Sequence, residues 1–103
     1  MTDTKSPTIE VQQQFAYFLL PYEVEVIVNN KTKKTHRVEL VTRLLTNYVT
    51  QKNLVKLREQ ALARAIKELE EDSSYKDKEW KVTGIWLMNI CHLGVMTEEQ
   101  FNS

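Results

Sequence analysis

Residues 53–72, NLVKLREQALARAIKELEED, constrain the fold more than any other stretch. Leu54, Leu57, Ala61, Leu62, Ala65, Ile66 and Leu69 recur at three- and four-residue steps, which puts them on one side of a helix. The run has no Gly or Pro inside it and is rich in strong helix formers. Asn53 is the expected N-cap, because its short side chain accepts from the free amides of a first turn. Arg58 interrupts the apolar arc between Leu54, Leu62 and Ala65. An Arg in such a place snorkels, pairs with an acid from another helix or marks a subunit contact, since desolvating an unpaired charge is costly.

Upstream, Ser6 and Pro7 suit a helix start, and Pro21 suits its end. A helix over residues 6–20 would carry Val11, Phe15, Phe18 and Leu19 on one side. An extended reading of residues 15–20 competes with it, because aromatic residues favour strands. Residues 22–28 alternate, with Val24, Val26 and Val28 inward and Glu23 and Glu25 outward, the period of a half-buried strand. Asn29 and Asn30 open a turn. Residues 35–41 fit a returning strand, with Val38 and Leu40 inward and Arg37 near Glu25. They also fit a helix with Val38, Val41, Leu44, Leu45, Tyr48 and Val49 in one arc. The preferred reading is a hairpin, with a helix from Thr42 to Gln51 and a restart at Asn53.

Asp77 is read as the cap of a last major helix from Trp80 to Leu93, stopped by Gly94. Its apolar positions run nearly all round, the pattern of a helix buried on every side. Thr97 to Gln100 is a capping-box pattern, so a short final turn is expected, with Phe101 tucked back. The expected fold is α+β and mainly helical: an N-terminal helix, a β-hairpin or single strand, two consecutive amphipathic helices and a buried C-terminal helix. Residues 1–8 read as a flexible tail and 9–103 as a single compact domain.

With 103 residues, 42% hydrophobic and 27% charged, the chain has the make-up of one soluble domain. A single cysteine, Cys91, rules out an intramolecular disulfide. No basic-then-apolar leader opens the chain, and its most apolar run is too short for a membrane span, so a cytoplasmic protein is expected. Cys91 and His92 are adjacent and have no further Cys or His pair with which to build a metal site. Two glycines do not make a phosphate-cradling loop. No catalytic, metal or cofactor pattern is present, so the expected function is non-enzymatic, with no small-molecule substrate.

Charge is the stronger signal. The chain is neutral as a whole, yet residues 31–67 hold ten basic residues against two acidic ones. Lys31, Lys33, Lys34, His36 and Arg37 cluster at the expected hairpin tip, and Lys56, Arg64 and Lys67 share one side of the long helix. Such a face suits nucleic acid or an acidic partner, although it lacks aromatic residues for stacking on bases. Arg58, Trp80, Trp86 and Met88 are residue types enriched at interfaces and are the expected subunit or partner contact. The favoured function is a small interaction or regulatory protein, a homodimer that presents charged surface to a macromolecule. The alternative is a nucleic-acid-binding protein using the basic face of residues 31–67.

Overall fold

The computed structural model describes residues 12–103. The expected N-terminal tail and the helix start at Ser6 and Pro7 lie outside the described residues. The elements run β1 (Gln14–Val28), β2 (Thr32–Leu44), α1 (Gln51–Glu71), a 3-10 turn (Ser73–Tyr75), β3 (Trp80–Leu87), β4 (Cys91–Thr97) and α2 (Glu98–Phe101). The mainly helical expectation is overturned. Of the described residues, 47% lie in strands of one antiparallel sheet and 30% in helices.

β1 is the axis of the molecule. β2 pairs with its whole length on one side, from Val28 opposite Thr32 to Ala16 opposite Leu44, with no break in register. On the other side β3 pairs with residues 22–28 and β4 with residues 14–19. The turn between β1 and β2 has Asn29 and Asn30 both at positive φ, and Lys31 N–H donates to the Val28 carbonyl at 3.1 Å. Such mirror-image turns match the twist of the strands they join, and asparagine tolerates them.

Even-numbered β1 residues from Ala16 to Val28 face α1. Leu57, Ala61, Ala65 and Leu69 of α1 close the core over them, together with Val38 and Leu40 of β2. Their four-residue spacing keeps them on one line, and the two alanines let the helix sit close to the sheet. Each fully buried Leu or Val contributes about 1.5–3 kcal/mol. The first expectation, a helix from residue 53, therefore holds with a changed start. Thr50 is the N-cap; its hydroxyl accepts from Asn53 N–H at 3.1 Å while the Asn53 side chain accepts from Thr50 N–H at 3.0 Å.

Three expected helices are absent where they fall within the described residues. Residues 14–20, expected to end an N-terminal helix, are strand, covered on both faces around Tyr17: Ala16, Phe18 and Leu20 on the helix side and Tyr17 on the other are all buried. A strand buried on both faces reads as a continuous apolar run, which mimics a helix. Residues 42–44 continue β2, and residues 45–50 cross the helix side of β1, where Asn47 Oδ1 lies 2.6 Å from His92 Nε2 on β4. The expected buried helix from Trp80 to Leu93 is instead β3, an irregular link at 88–90, and the start of β4. Trp86, Met88, Ile90, Leu93 and Val95 are exposed.

Two bulges explain why β3 and β4 do not look like strands in sequence. Between Glu25 and Val26 the register skips Thr83, and between Tyr17 and Phe18 it skips Leu93. Each skipped residue shifts the alternation by one and so imitates a non-β period. Gly94, expected as a helix stop, follows the second bulge at φ 131°, a conformation natural to glycine. The capping box at Thr97 and Gln100 forms, and Phe101 of α2 folds back onto β1.

Candidate functional site

One helix covers one side of the sheet, so the opposite side is open wherever nothing else covers it. Odd-numbered β1 residues point there, and strand register assigns their neighbours. The open side divides into three zones along β1.

At the start of β1 the zone is roofed. Phe101 stacks on Tyr17 with ring centroids 4.1 Å apart and planes within 5°. The Arg43 guanidinium lies 4.3 Å from the Phe15 ring centroid and bonds Glu98 at 2.6 Å. The neighbouring Tyr17 hydroxyl, followed by Glu98, holds the Arg43 pKa above its ordinary value. Tyr17 Oη is nonetheless a buried polar atom with no well-aligned hydrogen bond.

The middle zone is apolar and open. Leu19 has Val41 opposite it on β2 and Cys91 opposite it on β4. Pro21 follows, and its carbonyl accepts from Met88 N–H at 2.8 Å. Trp86 lies beside Glu23 in register. Its indole rests on Gly84: a Cβ added at Gly84 would meet the ring at 2.5 Å. Val41, Trp86 and Met88 are 51%, 52% and 52% exposed, so the zone is a platform rather than a filled core.

The far zone is charged. Glu23 accepts from Arg37 at 3.2 Å, and Glu25 accepts from the Thr83 hydroxyl at 2.8 Å. Arg37 thus pairs with Glu23, not with the expected Glu25, which lies opposite Thr35. Beyond them Ile27 is flanked by Lys33 on β2 and Lys81 on β3. An open hollow of about 380 Å³ there is lined by Ile27, Asn30, Lys78, Glu79, Trp80 and Lys81.

The structure distributes the sequence-derived basic residues over both sides of the sheet. Alternation sends Lys33 and Arg37 to the open side and Lys34 and His36 to the helix side, while Lys31 stays in the turn. Several cations are matched. His36 Nε2 is 2.8 Å from Glu68 Oε1, Arg64 Nε bonds the other oxygen of Glu68 at 3.2 Å, and Arg64 Nη1 donates to the Glu39 carbonyl at 2.7 Å. The bond from His36, then that from Arg64, holds the Glu68 carboxyl below its ordinary value. Lys34 lies over the Tyr75 ring at 5.5 Å. Lys56 and Lys67 are exposed on α1, on the other side of the sheet from Lys33.

The expected contact set is also divided. Trp86 and Met88 are exposed at the open platform, whereas Trp80 faces the helix side, packs against the core and meets Tyr75 edge-on at 6.2 Å. Arg58 is exposed; its charge acts on Tyr22, whose phenol is pushed up by burial and pulled back in smaller part by Arg58. Cys91 and His92 point to opposite sides: Cys91 registers with Leu19, and His92 meets the Phe18 ring edge-on at 5.1 Å. Leu19, Pro21 and Val41 were missed by sequence reasoning. The helical reading puts Leu19 and Val41 on apolar helix faces and Pro21 at a helix end, so their common side of the sheet goes unread.

Among the described residues no group of three or more His, Cys, Asp or Glu is placed to hold a metal ion, and no helix is long and apolar enough to cross a membrane. No family model matches the chain, and no curated protein and no solved structure shows significant similarity to it.

Proposed function

We propose that this chain is a non-enzymatic interaction protein of the cytosol that docks a protein partner on the open side of its sheet. The observation that carries the reading is a set of half-exposed apolar side chains on one strand face, Val41 on β2 and Trp86 and Met88 at the end of β3, which nothing in the described chain covers. Tryptophan and methionine in a water-exposed cluster are what binding hot spots are made of. The basic far end, with Lys33 and Lys81 flanking Ile27, selects a partner with an apolar side and an acidic end. The placement of charges favours this over duplex nucleic acid. A phosphate-gripping surface needs its cations on one side, and here they are split between two and partly matched by Glu23 and Glu68.

A photo-crosslinking residue in place of Val41, used in the source cell, tests the reading. The expected result is a crosslink to one polypeptide that is lost in Trp86→Glu and kept in Lys56→Glu. A crosslink indifferent to Trp86→Glu overturns it, as does one that returns to residues 1–11 of the same chain. Salt-sensitive retention on duplex DNA that depends on Lys56 and Lys67 would overturn it in favour of nucleic acid.

A further inference from the structure

The sheet has two edges, and they differ. The β3/β4 edge is bulged at Thr83 and Leu93 and interrupted at residues 88–90. Such devices keep an edge from pairing with another strand. β2 has none of them; its register with β1 is unbroken over its full length.

The groups that β2 offers outward follow from Pro21. Its carbonyl bonds Met88, so Pro21 turns away from β2 and forms a non-hydrogen-bonded pair with Glu39. Glu39 therefore directs its own N–H and C=O away from β1, and Arg64 reaching the Glu39 carbonyl agrees with this. By alternation Lys33, Thr35, Arg37, Glu39, Val41 and Arg43 turn their backbone donors and acceptors toward the edge that no described strand pairs with, where Arg64 meets the Glu39 carbonyl.

We propose that two copies of the chain join through β2, antiparallel about a twofold axis at Val38, into one continuous sheet. This goes beyond partner docking on the open side and names the edge that would form the homodimer expected from sequence. Charge selects the register. With the axis at Val38, Arg37 lies opposite the partner's Glu39 and Glu39 opposite the partner's Arg37, while Thr35 lies opposite the partner's Val41. An axis at Arg37 or at Glu39 would set like charges directly opposite each other, which is destabilising. The Val38 register also uses all six outward residues, giving about a dozen backbone hydrogen bonds, two for each bonded pair. Its like-charged pairing, Lys33 with the partner's Arg43, occurs twice by symmetry and falls at the strand ends, where Arg43 is already held by Glu98. Arg64 exchanges the Glu39 carbonyl for its remaining bond to Glu68, and the carbonyl takes the partner's Arg37 amide. Because the axis is perpendicular to the sheet, both helices lie on one side, and the two apolar platforms lie together on the other.

Sedimentation equilibrium at low salt on the full chain tests the proposal. The wild type is expected at about twice the 12.1 kDa chain mass. Arg37→Glu sets two acids opposite each other and Glu39→Arg two bases, so each variant alone is expected to self-associate at least tenfold more weakly. Mixed in equal amounts, they are expected to restore the dimer, because each chain then supplies the charge the other lacks. Thr35→Pro removes an outward amide without touching the ladder to β1, and is expected to be a folded monomer. A monomeric wild type at high micromolar concentration overturns the proposal. So does a mixture that stays monomeric, or a dimer that survives both charge swaps and is lost instead in Trp86→Glu, which would seat the second copy on the open side. Trp86→Glu is expected to leave the edge dimer intact, so loss of partner docking and loss of self-pairing are scored by different variants.

Discussion

Pro21 occupies the middle of the central strand, where a missing amide ordinarily breaks a ladder. Here the break falls on the neighbour. The amide and carbonyl of one residue point the same way, so the absent N–H faces the stretch where β3 gives way to β4, and residues 88–90 leave the ladder there. A residue read from sequence as a helix stop is thus an interruption in a strand 67 positions later, counted from Pro21 to Met88. Glu68 is a second residue whose partners decide its behaviour. His36 and Arg64 hold its pKa below the ordinary 4.5. A carboxyl lowered on folding adds stability that is complete above its unfolded value and is lost as pH falls through the folded one. The charges are over a third exposed on the Glu68 side, so the contribution is small, about 0.2–1 kcal/mol. Urea midpoints should show Glu68→Gln slightly less stable at neutral pH, with the gap closing below pH 4.5. A gap that persists or widens in acid would contradict the assigned bonds.

Among the elements, α1 was legible because its apolar spacing, its composition and its close packing on the sheet all ask for the same conformation. Only its first turn moved, since Thr50 and Asn53 cap each other and either one alone looks like a cap in sequence. Thr50→Ala should lower the unfolding free energy by about 1 kcal/mol, within a range of about 0.5–2, measured by urea unfolding. Asn53→Ala should cost a comparable amount if the box is reciprocal, and nothing if Thr50 acts alone. The valine alternation at residues 24–28 was legible for a different reason: one side of that half of β1 is open, so polar residues mark it. The other half, residues 15–20, lacks that mark because α2 covers the outer side at Tyr17 and the outward residue beyond it, Leu19, is apolar. β3 and β4 lost theirs to bulges, so Trp86 and Met88 were named for their residue type and placed in the wrong element.

At the scale of the molecule, β1 ties together the two ends of the described chain, with Gln14 opposite Thr97. Pairing so remote closes a long loop before it yields any contact, whereas the β1–β2 hairpin is local and expected to form first. Truncation after Ile90 removes the β4 ladder and the Phe101 lid together. Tyr17 and Phe18 would then meet water, and the truncated chain should bind a hydrophobic dye and melt less cooperatively by circular dichroism. A sharp melt at the full-length temperature would show that this half of the sheet stands without β4.

Local features follow from the residues alone: a 3.6-residue apolar repeat makes α1, an Asn-Asn pair makes the hairpin turn, and Thr97 with Gln100 caps α2. Each depends on neighbours a few positions away. Tertiary contacts set which apolar runs are covered on two sides, which cations meet carboxylates, and which side of the sheet is left open. Those outcomes depend on strands brought together from remote positions, and a one-residue bulge is enough to send every later side chain to the opposite face.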